Sequence, residues 1–192
     1  MSEIKVLIEG YAKETKNGWI ANSTVTLVES NYKKIIVDPG WDRNNLIKSL
    51  KKENLATKDI DYVFLTHNHP DHVFLAGIFE NAKLIDELYV YSDGLITKHG
   101  GVVSETDLKV IRTPGHVEEH CSLVVPTKQG TYVVAGDVFW WLDNEKQEVN
   151  ISKPDNDPEH MDLKKLIDSR KKILEIADYI IPGHGKMFKV NK

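Results

Sequence analysis

Apolar and polar positions along the chain follow two rhythms. Ile4–Glu9, Ile20–Glu29 and Lys34–Val37 are rich in β-branched residues and carry local period-two alternation, which predicts strands. Asp38-Pro39-Gly40 closes that run as a turn. From Asn44 to Glu53 the apolar residues Leu46, Ile47 and Leu50 fall on one side of a predicted helix. Asp61–Thr66 is a short apolar run that reads as a buried strand. Further strands are predicted at Lys83–Asp86, Leu88–Tyr91, Leu108–Arg112, Ser122–Pro126, Thr131–Ala135 and Tyr179–Ile181. A second helix is predicted over Pro158–Ile176, with Asp157 as its cap and Leu163, Leu166, Ile167 and Leu174 as its apolar stripe. Strand groups, each followed by a helix, predict an α/β layered sandwich with the helices outside, as one domain over residues 1–192.

Composition narrows the class. The chain has 192 residues, 41% apolar and 28% charged, which is enough for a buried core. Its 25 basic and 29 acidic residues leave a net charge of -4, which argues mildly against a dedicated nucleic-acid binder. No stretch nears the roughly 20 apolar residues of a membrane span, and the first residues lack the apolar core of a signal peptide. Cys121 is the single cysteine, so no internal disulfide forms, and a cytoplasmic protein is expected. The cysteine itself reads as a small apolar strand residue.

The eight histidines carry the candidate chemistry. Thr66-His67-Asn68-His69-Pro70-Asp71-His72 places three imidazoles and a carboxylate at the end of an apolar strand. Alternate residues of an extended chain point the same way, so His67 and His69 can reach one ion. Asp71 and His72 follow Pro70, where the chain should turn, and suit a second ion beside the first. Three more candidate ligands each follow an apolar strand and a glycine: His116 in Thr113-Pro114-Gly115-His116, Asp137 in Ala135-Gly136-Asp137, and His184 in Pro182-Gly183-His184. A rigid sheet presents ligands along one edge in this way, with glycine permitting close backbone approach. Nitrogen and oxygen donors without thiolate suit zinc, iron or manganese. His99, His120 and His160 read as ordinary residues. The basic residues Lys164, Lys165, Arg170, Lys171 and Lys172 are mixed with acidic ones and read as a solvated helix face.

The motifs H-x-H-x-D-H, T-P-G-H, G-D and P-G-H-G, in this order, resemble the metallo-β-lactamase superfamily. That resemblance implies a four-layer αββα sandwich with a binuclear metal centre on one edge. It implies His67, His69 and His116 on the first metal, Asp71, His72 and His184 on the second, and Asp137 bridging both. Asp38 matches a position that supports the site from behind. An aspartate at the bridging position is similar to glyoxalase II and the nucleases. Ala135–Phe139 and the ending from Ile176 to Phe188 are similar to the small group called metallo-β-lactamase domain-containing protein 1.

Hydrolysis is the reaction these ligands imply, with a metal-bridging hydroxide as nucleophile and Asp71 orienting it or shuttling its proton. A small ester, thioester or lactone is the expected substrate. A phosphodiester, including RNA, is the alternative that the resemblance keeps open. A mononuclear iron sulfur dioxygenase and a non-catalytic binding module are readings from other classes. Two divalent ions, zinc foremost, are the expected cofactors, and Trp140 and Trp141 either pack in the core or line the substrate mouth.

Overall fold

The computed structural model describes residues 1–154 and 161–191. Its elements in chain order are β1 (Glu3–Ile8), β2 (Tyr11–Thr15), β3 (Gly18–Asn22), β4 (Val25–Ser30), β5 (Lys33–Val37), α1 (Arg43–Lys52), β6 (Tyr62–Phe64), α2 (Pro70–Val73), β7 (Lys83–Ile85), β8 (Tyr89–Ser92) and β9 (Leu95–Lys98). They continue with β10 (Lys109–Arg112), β11 (Cys121–Thr127), β12 (Gly130–Trp140), α3 (Leu163–Ile176), β13 (Tyr179–His184) and β14 (Phe188–Lys189).

Two mixed sheets carry the fold. One runs in the order β1-β4-β5-β6-β7-β8-β9 and the other β10-β11-β12-β13-β14, with β2 and β3 forming a separate hairpin. Side-chain parity then builds four layers. Ile35 and Val37 of β5 and Tyr62 and Phe64 of β6 face Leu123, Val134 and Ile181 of the second sheet in one buried cluster. The alternate residues Ile36 and Val63 point the other way and meet Leu46 and Leu50 of α1. Val133, Ala135 and Ile180 leave the opposite side of the second sheet and meet Leu166 and Ile173 of α3. Strands buried on both faces read as continuous apolar runs, and Ile35-Ile36-Val37 is one. Each fully buried Ile or Phe of this kind contributes on the order of 2 kcal/mol. The αββα architecture expected from the sequence is the one observed.

Several local expectations need correction. The single strand expected over Ile20–Glu29 is two strands, broken at Ser23 and Thr24. The reason is polar: Asn22 Oδ1 accepts from the N–H groups of Trp41 and Asp42, Ser23 Oγ donates to the Asp38 carbonyl, and Thr24 N–H donates to the Gly183 carbonyl. The chain is thereby tied to the loop after β5 and to the end of β13 in the other sheet instead of running on as one strand. The second helix starts at Leu163, capped by Asp162, whose carboxylate accepts from Lys165 N–H. Asp157, Pro158 and His160 lie outside the described residues.

The buried stripe of α3 runs through Leu166, Ser169, Arg170 and Ile173. Ser169 donates to the Pro114 carbonyl, and Arg170 donates to the carbonyls of Val138, Ile151 and Lys153, so two polar residues share the buried stripe. The expected Leu163, Ile167 and Leu174 are half-buried, Leu174 against the same cluster. Arg170 is therefore not part of a solvated face. Strands β2, β9 and β14 were not expected from the sequence. Among the described residues, no helix is long and apolar enough to cross a membrane.

Candidate metal centre

The site is assembled at strand ends. β6 stops at Phe64, and the following loop carries His67 and His69. Pro70 opens α2, and His69 just before it is extended (φ -64°, ψ 142°), as a residue preceding proline prefers. That turn swings Asp71 and His72 onto a new direction. His116 follows β10, and His184 is the last residue of β13. Asp137 does not follow a strand, as expected, but lies inside β12, which runs on to Trp140 past an irregularity in its pairing with β13 at Gly136.

All seven expected ligands converge, in two groups. His67, His69, His116 and Asp137 each offer an atom within 4.8 Å of the others, and so do Asp71, His72 and His184. The Asp137 carboxylate stands between the groups. Its Oδ2 is 3.8 Å from His67 Nε2, 3.5 Å from His116 Nε2 and 3.6 Å from His184 Nε2, while Oδ1 is 3.3 Å from His72 Nε2. Asp71 Oδ2 is 3.3 Å from His184 Nε2. His69 Nδ1 and His116 Nε2 lie 3.0 Å apart.

Hydrogen bonds behind the cluster aim its lone pairs inward. Asp38 sits in the left-handed region (φ 47°), which an aspartate adopts more readily than most residues. Its carboxylate accepts from Thr66 N–H at 2.8 Å and from the Thr66 hydroxyl at 2.7 Å, and its Oδ2 lies 2.8 Å from His72 Nδ1. A carboxylate only accepts, so His72 carries its proton on Nδ1 and presents Nε2 to the cluster. The Thr66 proton is spent on Asp38, so the Thr66 oxygen, 3.0 Å from His67 Nδ1, must accept from it, and His67 likewise presents Nε2. His184 Nδ1 faces the Asn22 carbonyl at 3.1 Å, with the same consequence. Metal-binding histidines are oriented by such partners.

The electrostatics fit a cation. Burial opposes charge on His72, but Asp137 and Asp38 outweigh it and hold its pKa well above the ordinary value. His184 is pushed up to about 9, since Asp137 and Asp71 overcome the same burial. Asp137 is held well below the usual carboxylate range, because His72 and His184 outweigh its burial. Burial, helped by His72, lowers His67 well below an ordinary histidine. Four buried side-chain N or O atoms among the described residues lack a hydrogen-bond partner, and three of them are His67 Nε2, His72 Nε2 and Asp137 Oδ1. Buried polar atoms without partners are rare in folded proteins. Here they are good ligand atoms converging on one place, so the residues present fit divalent metal ions.

The other candidates separate. Trp140 meets His184 edge-on, with ring centroids 5.7 Å apart, and beyond it Trp19 at 6.3 Å. Trp141 instead packs against Phe139 and Phe188 in the α3 layer, which gives it the packing role of the two considered. His99 accepts from Gly101 N–H and faces the carbonyls of Asp86 and Glu87, away from both donor groups. His120, expected to be ordinary, is fully buried against the site, and its ring stacks on His67. The sequence signal for it was its place four residues after His116.

The family model described as Metallo-beta-lactamase superfamily matches residues 19–102. The Metallo-beta-lactamase domain-containing protein 1 of Xenopus laevis is 35% identical over 98% of this chain and 82% of its own. The chain belongs to the metallo-beta-lactamase superfamily. Solved structures share its fold. A Thermotoga maritima metallo-beta-lactamase-like protein aligns with TM-score 0.73 at 21% identity, covering 98% of this chain and 99% of that one. AidC, a dizinc quorum-quenching lactonase, aligns with TM-score 0.64 at 18% identity, covering 88% and 74%. As a member of this superfamily, and with a relative named as a metallo-hydrolase in Methanocaldococcus jannaschii that is 32% identical over 81% of this chain and 73% of its own, the protein is a metal-dependent hydrolase.

Proposed function

We propose that the two donor groups hold two divalent metal ions, zinc foremost, and that the protein hydrolyses a small ester, thioester or lactone. The observation that carries the binuclear reading is the Asp137 carboxylate, buried between the two groups with oxygens toward both. When bound, a pair of such ions acidifies water toward a pKa of ~7 and draws charge from the attacked carbonyl oxygen. In this reading His67, His69 and His116 hold one ion, Asp71, His72 and His184 the other, and Asp137 both. Completeness of the second group argues against a single-iron dioxygenase. It also argues against a non-catalytic binding module, which needs no such set.

Asp71 does more than bind. Its side chain is 22% exposed against 6% for Asp137, so it alone of the two carboxylates reaches the solvent side. A carboxylate there orients the attacking water, takes its proton at Oδ and returns it to the leaving group. No protein nucleophile is required. Cys121 is a poor one, since burial pushes its thiol well above the ordinary value.

The cleft beside the metal centre supports an acyl substrate over a phosphodiester. A cavity of about 340 Å³ adjoins His67, lined by Leu65, Leu84 and Tyr89 and by the acidic residues Asp86, Glu119 and the buried Glu87. Only Glu87 has a cationic partner among the described residues, Arg112. Asp86 and Glu119 disfavour a polyanion such as RNA, and the apolar lining suits a neutral acyl group. Trp140, edge-on to His184, sets an aromatic ring against the second donor group. That a lactonase shares the fold agrees with this substrate class. A cytoplasmic setting accords with the single, buried thiol.

The test is metal analysis followed by a panel of thioesters, esters, lactones, phosphodiesters and short RNA. About two ions per chain and turnover of acyl substrates are expected. A stable single iron would remove the binuclear reading, and RNA turned over faster than any acyl compound would replace the substrate class.

A further inference from the structure

His120 belongs to neither donor group, yet it is fully buried and its ring lies on that of His67, with centroids 5.0 Å apart and planes 25° from parallel. The backbone N–H of Asp137 points at its Nε2 from 3.2 Å. A peptide N–H only donates, so Nε2 carries a lone pair and the ring proton sits on Nδ1. Nδ1 is 3.0 Å from Thr113 Oγ1, which must then accept and is free to pass its own proton to Ser122 Oγ at 2.8 Å. Ser122 Oγ in turn donates to the Ala135 carbonyl at 3.4 Å. The result is a one-way chain from the Asp137 N–H through His120, Thr113 and Ser122 to the Ala135 carbonyl. It starts and ends on either side of Gly136, and its three side chains are fully buried.

Gly136 is the neck that this chain closes. It is left-handed (φ 51°), and a β-carbon there would lie 2.6 Å from Thr66 Oγ1 and 2.8 Å from His120 Nε2. The pairing of β12 with β13 breaks register at this residue, so the regular ladder does not set the direction of Asp137. Something else must fix that peptide, and His120 is the group bonded to it.

We propose that His120 is a positioning residue for the metal centre: locked in one tautomer by Thr113 and Ser122, it holds the Asp137 peptide and thereby aims the Asp137 carboxylate at both donor groups. The inference rests on the metal-centre reading. Bonds behind a metal ligand of this kind typically govern affinity by about 10- to 100-fold.

The experiment measures zinc affinity against a competing chelator, together with the melting temperature of the metal-free protein, for His120→Gln, His120→Leu and Thr113→Val. Glutamine can still offer an acceptor to the Asp137 N–H, and leucine cannot. His120→Leu is expected to weaken zinc binding by about 10- to 100-fold, and His120→Gln to restore most of it. Thr113→Val, which touches no donor atom, is expected to weaken binding in the same direction because the tautomer is no longer fixed. Wild-type affinity in His120→Leu overturns the proposal. So does an equal loss in the glutamine and leucine variants with equal falls in melting temperature, the mark of a role in packing alone. Where His120→Leu does not fold, Thr113→Val decides: weakened affinity at unchanged metal-free melting temperature supports the proposal, and unchanged affinity overturns it. Wild-type protein that binds no zinc, iron or manganese overturns the metal-centre reading and this proposal with it.

Discussion

Gly183 and Asp137 compete for one volume: a β-carbon on Gly183 would overlap Asp137 Oδ1. The carboxylate fills the place where any other residue of β13 would carry its side chain. Gly183→Ala must therefore displace Asp137, and a shift of about 1 Å at a reacting centre costs roughly 100-fold in turnover. Loss of that order, with bound metal reduced and far-UV circular dichroism unchanged, is the expected outcome. Wild-type metal content and turnover in this variant would show that the carboxylate has no fixed seat.

Asp38 is tested by Asp38→Asn. Asparagine tolerates the left-handed backbone of this position, so the turn is kept. It lacks the charge and one acceptor, while the Thr66 N–H, the Thr66 hydroxyl and the His72 N–H all need an acceptor there. Metal affinity is expected to fall by about 10- to 100-fold, read by competition titration. Undiminished affinity would mean that His72 is oriented by its packing.

Asp137→Ala removes the one carboxylate between the two groups and leaves His67, His72, His116 and His184 facing each other. Metal content is expected to drop from about two ions per chain to less than one, and turnover to vanish with it. Full activity in this variant would remove the bridging assignment.

Metal removal should be visible in stability as well as in activity. A ligand that binds only the folded state at 100 times its dissociation constant adds about 2.7 kcal/mol, which for a domain of this size is roughly 5–10 °C in melting temperature. Chelator is expected to abolish turnover and lower the melting temperature by that amount, and zinc or manganese to restore both. Turnover that survives chelation would point to different chemistry.

Much of the site was legible because its parts are local. His67, His69, Asp71 and His72 lie within six residues, and the spacing around Pro70 already separates one pair from the other. His116, Asp137 and His184 each follow an apolar run and a glycine, which marks them as a sheet edge in sequence. The layers were legible too, since runs such as Ile35-Ile36-Val37 declare burial on both faces. The polar residues that break or redirect elements were harder. Ser23 and Thr24 interrupt an apolar run because their partners are Asp38 and Gly183, and Arg170 is buried because carbonyls from Val138 to Lys153 converge on it. Such partners are distant in the chain, and no periodicity encodes them.

The sequence by itself determined the donor types, their order and the α/β layering, because ligand chemistry and strand periodicity are properties of neighbouring residues. Only the tertiary structure decided that Asp137 stands between both groups, that Gly183 leaves it room, and that His120 holds its peptide in place. Those facts depend on β12 and β13 lying side by side, with the chain after β10 folded back against them. Hydrogen-bond direction is settled only when both partners are brought within about 3 Å.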